Sequence, residues 1–122
     1  MSEIAELQQS IRDFVKARDW DQFHTPKNLA MSVAIEAGEL MEVFQWTTTE
    51  EANDPVFVEQ HRAEVEDEVA DVLIYVLSLA NKCEIDIPTI VRRKMARNDV
   101  RFPPNRVKGR LPDPEMDQRN SP

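Results

Sequence analysis

Two acidic pairs with the same spacing are the residues of this sequence that could do chemistry. Glu36 and Glu39 form the first pair, and Glu68 and Asp71 form the second. On a helix, side chains three residues apart lie on the same face, so each pair would direct two carboxylates the same way. Such spacing also arises by chance on exposed helices. A solvated acidic face is therefore the alternative interpretation.

Apolar neighbours distinguish these acids from the other acids of the chain. Glu36 lies one helical turn from both Val33 and Leu40, and Glu68 follows Val65 by three residues. A buried carboxylate without a partner is costly, and four of them together would repel one another. No lysine or arginine occurs at helical spacing inside either motif. We therefore expect a bound cation to supply the positive charge.

The chemistry of the donors decides between metals. Magnesium takes oxygen ligands and typically joins carboxylates to substrate phosphates. Di-iron helical bundles use Glu-x-x-His motifs, but neither His24 nor His61 follows a glutamate by three residues. Zinc would need histidine or cysteine ligands that these motifs lack. The pattern favours Mg2+, with Mn2+ as a substitute.

Helix start signals and apolar periodicity predict the elements that carry both pairs. A capping residue precedes a proline at three points, namely Thr25-Pro26, Asp54-Pro55 and Asp86-Ile87-Pro88. Together with the periodicity they predict four helices, at about 3–18, 26–45, from 54 or a few residues later to 82, and from 86 to before 103. The polar segment 47–53 is expected to be a loop. The acidic pairs fall on the second and third helices.

The composition agrees with an all-α four-helix bundle. Only 2 glycines are present, which is few for a fold that depends on tight turns, and no stretch shows sustained two-residue alternation. Short links between four helices are typical of a bundle. We expect one catalytic domain over residues 1–104 and a polar, mobile tail over residues 105–122, because prolines and charges dominate there.

The net charge and the single cysteine exclude several classes of protein. The formal charge of -8 would repel a nucleic-acid polymer. No apolar run reaches the roughly 20 residues of a membrane span, and the first residues do not resemble a signal peptide, so a cytoplasmic location is expected. Cys83 cannot form an intrachain disulfide. Its apolar neighbours predict a buried structural thiol.

Several segments carry a family resemblance. Glu36-x-x-Glu39 followed by Glu68-x-x-Asp71 resembles the signature of the MazG-like all-α nucleoside triphosphate pyrophosphohydrolases. The segments most similar to their dCTP pyrophosphatase branch are 18–29, 38–46, 71–75 and 94–103. The resemblance covers about residues 3–104 and keeps the order and spacing of the segments.

The resemblance implies an assembly and a reaction. Protomers of this family pair, commonly into a homotetramer that is a dimer of dimers. The resemblance implies that Glu36, Glu39, Glu68 and Asp71 bind magnesium and are catalytic. A water activated by the metal would attack the α-phosphorus, with pyrophosphate as the leaving group. One carboxylate, with Glu39 among the candidates, would accept the proton of the water.

Aromatic residues are the candidates for binding the base. Trp20, Trp46 and Tyr75 offer flat faces on which a base can stack. Without the resemblance, Trp46 and Tyr75 would be interpreted as core residues. The resemblance assigns all three to the base pocket.

Polar residues complete the expected substrate site. His24 and Asn28 would hydrogen-bond the base, sugar or phosphate, although a role in starting the second helix is an equal alternative. Lys94 resembles a triphosphate-binding lysine of the family. Asn98 and Arg101 follow it on the same helix and would bind phosphate or its metal, or else be ordinary surface residues.

These observations lead to one functional hypothesis and two rivals. The hypothesis is a Mg2+-dependent enzyme that converts a nucleoside triphosphate, dCTP or a 5-modified dCTP, to the monophosphate and pyrophosphate in nucleotide-pool sanitation. One rival is a related helical hydrolase directed at dUTP. The other is a helical interaction module without enzyme activity, whose acidic patch only keeps it in solution.

Overall fold

The computed structural model describes residues 1–111, and no β-strand occurs within this range. The predicted all-α class is therefore confirmed. The helices are α1 (Glu3–Ala17), α2 (Pro26–Phe44), α3 (Thr49–Ala52), α4 (Pro55–Gln60), α5 (Arg62–Lys82), α6 (Ile87–Arg101) and α7 (Pro104–Val107), with a short 3-10 helix at Asp21–Phe23. No helix in the range 1–111 combines the length and the apolar character needed to cross a bilayer.

Side-chain caps begin α1 and α2 close to the residues where the sequence predicts these helices to start. The Ser2 hydroxyl accepts the N–H of Ala5 at 3.2 Å at the start of α1. The Thr25 hydroxyl accepts the N–H of Asn28 at 3.1 Å, and Pro26 occupies the first turn of α2. Such caps satisfy backbone donors that have no partner inside the helix.

The prediction of one continuous third helix is wrong. The chain breaks at His61, which has φ -109 and ψ 14 and separates α4 from α5. The His61 imidazole stacks on the Phe57 ring with centroids 4.2 Å apart, and its Nδ1 lies 2.9 Å from the Phe57 carbonyl oxygen. The segment 47–53, expected to be a loop, also contains the one-turn helix α3, which Thr48 caps at the Glu51 N–H.

The chain divides into two units, and the first is Met1–Ile85. In this unit α2 packs along α5, and α1 packs on α5 as well. Leu29 and Leu77 are its most deeply buried large side chains, each 2% exposed. Gln8 and Asn81 join α1 to α5 through two hydrogen bonds of 3.0 Å, so the register between these helices is fixed at that point.

The second unit begins at Asp86 and contains α6 and α7. The Asp86 carboxylate accepts the N–H of Thr89 at 3.4 Å as the cap of α6. The predicted tail over residues 105–122 includes part of α7, while residues 112–122 lie outside the described range. The division into a domain at 1–104 and a tail therefore stays a prediction.

Cys83 departs from the sequence-based expectation. It follows the last residue of α5, and its N–H bonds the Leu79 carbonyl oxygen at 3.0 Å. The thiol is exposed, so the prediction of a buried structural cysteine is wrong. Apolar neighbours in the sequence did not bury it, because the helix ends at this point and Glu84 turns the chain away with φ 54.

Candidate metal and nucleotide site

Helices α2 and α5 bring the two acidic pairs together. Glu36 and Glu39 lie in α2, and Glu68 and Asp71 lie in α5. One carboxylate oxygen from each of the four lies within 4.8 Å of the others. The i, i+3 spacing places each pair on one face of its helix, and the packing of α2 along α5 turns these two faces toward each other.

Two oxygens of this carboxylate cluster lack a partner. Glu36, Glu68 and Asp71 are half-buried, whereas Glu39 is exposed. Glu36 Oε2 and Glu68 Oε2 are buried and accept no hydrogen bond from the described part of the chain. Within residues 1–85, no lysine or arginine forms an ion pair with any of the four. Because orphaned buried oxygens are costly, these residues fit a hard divalent cation that takes oxygen ligands.

The surroundings of the cluster raise the pKa of two of its acids, Glu36 and Glu68. Burial, followed by the hydrogen bond with Glu39 and the nearby negative charges, raises the pKa of Glu36 from its ordinary 4.5 to about 6. Burial likewise raises the pKa of Glu68, followed by the charges of Glu39 and Asp71. Both shifts have the sign expected for desolvated carboxylates crowded together. A cation would reverse the effect of the crowding.

An apolar groove of about 540 Å³ lies between α1 and α5 beside the cluster. Phe14, Trp20, His24 and Tyr75 supply its rings. Phe14 and Trp20 meet edge to face, with ring centroids 5.8 Å apart. Tyr75 follows Asp71 by one turn of α5, so the groove starts next to the carboxylates. The structure thus brings together three of the predicted substrate residues.

Trp46 and Asn28 do not line this groove. Trp46 lies just beyond α2 and is 88% exposed. The Asn28 side-chain amide donates to the Phe23 carbonyl oxygen at 3.1 Å. In this conformation Asn28 holds the link that precedes α2, which is the alternative that the sequence left open for it.

The three predicted phosphate-binding residues all lie on α6 in the second unit. Lys94, Asn98 and Arg101 follow one another at spacings of four and three, which places them on one face of the helix. Lys94 is exposed, and the other two are half-buried. The Arg101 guanidinium lies 4.5 Å from the centroid of the Phe102 ring. Their part in binding phosphate stays a prediction.

Sequence reasoning missed the contribution of α1 to the groove. Leu7, Ile11 and Phe14 line it. The apolar periodicity of α1 was the available signal. Periodicity shows that a helix has an apolar face, but it does not show whether that face meets another helix or an open groove.

Known proteins resemble this chain over most of its length. The model of the MazG-like family matches residues 31–109. dCTP pyrophosphatase 1 of Homo sapiens is 43% identical over 91 residues, which are 75% of this chain and 54% of that protein. Its Bos taurus counterpart is 40% identical over 97 residues, 80% of this chain and 57% of that protein. The chain thus spans little more than half the length of these relatives.

One solved structure matches this chain over nearly its own full length. A pyrophosphatase from Archaeoglobus fulgidus DSM 4304 superposes with a TM-score of 0.78 at 43% sequence identity. The match covers 84% of this chain and 94% of the archaeal chain. The chain is therefore similar in fold and in sequence to a protein of similar length.

Proposed function

The chain belongs to the MazG-like family, and on that premise we propose that it hydrolyses a nucleoside triphosphate to the monophosphate and pyrophosphate with bound Mg2+. The observation that carries this proposal is the carboxylate cluster, with four oxygens within 4.8 Å of one another. Two of its members have buried oxygens without a partner. Relatives named as pyrophosphatases support the same reaction class.

We assign cation binding and proton acceptance to different carboxylates according to how exposed each one is. Glu36, Glu68 and Asp71 are half-buried and would hold the cation. Bound magnesium supplies charge neutralisation for the triphosphate and lowers the pKa of water. Glu39, which is exposed, would accept the proton of the water that attacks the α-phosphorus. The bond to the bridging oxygen then breaks and pyrophosphate leaves.

The groove beside the cluster would receive the base. The rings of Trp20 and Tyr75 line the groove and would stack on a planar base. The His24 imidazole would form a hydrogen bond with the base. We propose dCTP or a 5-modified dCTP as the substrate, which the name of the mammalian relatives supports. Removal of such nucleotides from the pool would be the biological role, in the cytoplasm as the sequence predicts.

The remaining predicted substrate residues would complete the site. Lys94, Asn98 and Arg101 share one face of α6 and would bind the triphosphate. Trp46 is 88% exposed and would stack on the base from the open side. The Asn28 amide would have to leave the Phe23 carbonyl to reach the ligand.

We also propose that the chain self-associates, as a dimer or a dimer of dimers. Met31, Ile35 and Met41 lie on α2 and are 53%, 59% and 69% exposed. Monomeric proteins seldom leave a run of large apolar side chains in water. A second copy of the chain would cover this surface.

The decisive experiment is a kinetic screen for pyrophosphate release. dCTP, 5-methyl-dCTP, dUTP and dTTP are each tested with and without Mg2+. Activity should depend on the metal and should fall by at least about a hundredfold in Glu36→Gln and in Asp71→Asn, because each change removes a charged ligand. Glu42→Gln is the matched control, since Glu42 lies on α2 but outside the cluster.

Each rival function has its own outcome in this screen. A preference for dUTP would support the dUTP-directed hydrolase. A folded wild type that releases no pyrophosphate from any triphosphate would support the interaction module. Circular dichroism of every variant separates loss of chemistry from loss of fold.

A further inference from the structure

A second pocket lies next to the apolar groove in the first unit, with a volume of about 380 Å³. Arg12 and Lys16 from α1 and Lys82 from α5 line it, and Asp21 is its only acidic residue. We call it the cationic pocket. It shares His24 with the groove, although it does not include any residue of the carboxylate cluster.

The charge of this pocket is opposite to that of its surroundings. Residues 1–85 contain 18 acidic and 6 basic residues. The six are Arg12, Lys16, Arg18, Lys27, Arg62 and Lys82. Half of the basic residues of a strongly acidic unit therefore line one pocket. Of the others, Arg62 is paired with Glu59 and Glu66, and Arg18 lies over the Phe14 ring.

The contact between α1 and α5 fixes the backbone positions that carry the three cations. The hydrogen-bonded pair of Gln8 and Asn81 fixes α1 against α5. Arg12 and Lys16 follow Gln8 by one and two turns, so they extend along the same face of α1. Lys82 follows Asn81 directly at the end of α5. The cations thus surround the pocket from two helices whose register is fixed.

Two of the three cations lack a counter-charge. Lys16 has no ion pair with any residue of the first unit, 1–85, and the hydrogen-bond acceptor of Arg12 is the neutral Gln9 Oε1 at 3.4 Å. Lys82 is bonded to the Asp21 carboxylate at 3.1 and 3.2 Å. Like charges one turn apart on a helix repel each other, and an anion between them would remove this cost.

We propose that the cationic pocket binds the phosphate group of a small anion, separately from the carboxylate cluster. A guanidinium from Arg12 and ammonium groups from Lys16 and Lys82 are donors of the kind that binds phosphate oxygens. The volume of about 380 Å³ lies within the usual range of small-molecule sites, so the phosphate can carry a further group. Ile11, Val15, His24 and Ser78 line both the pocket and the groove, so a nucleotide can place its base in the groove and its phosphate here.

Calorimetric titration of the full chain in EDTA tests this proposal. Chelation leaves the carboxylate cluster without a cation, and its negative charge then repels phosphate. Inorganic phosphate and dCMP are titrated separately. Binding should weaken by about tenfold or more in the double variant Arg12→Ala with Lys16→Ala, because charge-assisted hydrogen bonds are lost. Both changes introduce alanine, the best helix former, so α1 should stay folded.

Two further variants sharpen the test. Lys27→Ala removes one exposed positive charge of the same unit outside the pocket and should leave binding unchanged. Asp21→Asn removes the pocket's carboxylate, releases Lys82 and should tighten binding several-fold.

Each outcome decides the question. Binding of both ligands with equal affinity identifies the phosphate group alone as the ligand, and binding of dCMP alone identifies a nucleotide that extends into the groove. No binding by the folded wild type, or equal binding by wild type and the double variant, would overturn the proposal.

Discussion

At the residue scale, the two glutamates with orphaned oxygens are also the two whose pKa is raised. Glu36 Oε2 and Glu68 Oε2 are buried without a hydrogen bond from residues 1–111. Burial is the largest cause of the raised pKa of each. The same desolvation thus favours a proton when no metal is present and a metal when one is available. If the cluster binds a metal as proposed, protons and the metal compete for these oxygens.

This competition predicts how pH affects stability. For Glu36, the folded state has a pKa of about 6 and the ordinary value is 4.5. A raised carboxyl pKa means that ionisation destabilises the fold, so the penalty is absent below the ordinary value and complete above about 6. The Tm of the metal-free protein should fall between about pH 5 and about pH 7, and Mg2+ should raise the Tm more at about pH 7.

Glu36→Gln is the comparison for this prediction. Glutamine cannot ionise, so the variant should lose less Tm than the wild type over the same pH interval. Differential scanning calorimetry with and without Mg2+ measures both effects. A wild type whose metal-free Tm rises from about pH 5 to about pH 7 relative to Glu36→Gln would contradict the assignment of the raised pKa.

Tyr75 carries a prediction about substrate affinity. The ring is half-buried and lines the groove, one turn after Asp71. In Tyr75→Leu the apolar wall stays while the stacking surface is lost, so KM for the triphosphate should rise by about tenfold and kcat should change less. Steady-state kinetics at saturating Mg2+ measures both constants. A fall in kcat with an unchanged KM would place Tyr75 in the chemical step instead.

The sequence predicted the cluster but not the whole groove. The i, i+3 pairs needed only helix geometry and apolar neighbours, and the structure places all four oxygens within 4.8 Å. The groove depends on how α1 lies on α5, which the Gln8–Asn81 contact fixes. These residues are 73 positions apart. A contact between residues so far apart in the sequence cannot be predicted from a local pattern. Phe14 could therefore not be assigned to the groove.

At the element scale, helix starts were more predictable than helix breaks. Thr25 and Asp86 accept backbone N–H groups at the expected starts of α2 and α6. These caps are local, and their residue types are restricted. The break at His61 has neither glycine nor proline, and the ring of His61 rests on Phe57 instead. Without glycine or proline, the sequence gives no clear indication that a helix ends here.

Gly38 is a position in α2 where a substitution should raise the free energy of unfolding. It lies in the helix interior between Glu36 and Glu39, and a Cβ added there would meet no atom within 4 Å. Alanine costs about 0.5–1 kcal/mol less than glycine inside a helix. Gly38→Ala should therefore raise the free energy of unfolding of the protomer by about that amount. Urea denaturation followed by circular dichroism at several protein concentrations measures it.

The series of protein concentrations also shows which results would contradict this prediction. If Gly38→Ala lowers stability only where the protein self-associates, another chain must approach α2 closely at this point. A loss of stability at every concentration would contradict the open surroundings of Gly38.

At the scale of the whole molecule, acidic and basic residues are distributed unevenly between the two units. Residues 1–85 contain 18 acidic and 6 basic residues, whereas residues 86–111 contain 2 acidic and 8 basic residues. The net charge of -8 therefore describes neither part. The acidic unit carries the proposed cation site, and the basic stretch carries the residues predicted to bind the triphosphate.

Self-association is the prediction that belongs to the whole molecule. Met31 and Ile35 lie one turn apart on α2 and are more than half exposed, at 53% and 59%. If a second copy covers this face, the double variant Met31→Glu with Ile35→Glu would bury charges in the interface and should dissociate the assembly. Sedimentation velocity should show a dimer or tetramer for the wild type and a monomer for the double variant.

Val56→Glu provides the matched control for this experiment. Val56 is also 59% exposed but lies on α4, so its change adds one negative charge elsewhere on the first unit, against two in the double variant. It should leave the sedimentation coefficient unchanged if α2 forms the interface. Activity of the dissociated variant then shows whether the site needs a second copy, because the carboxylate cluster comes from α2 and α5 of one protomer. A wild type that sediments as a monomer at assay concentrations would rule out this interface.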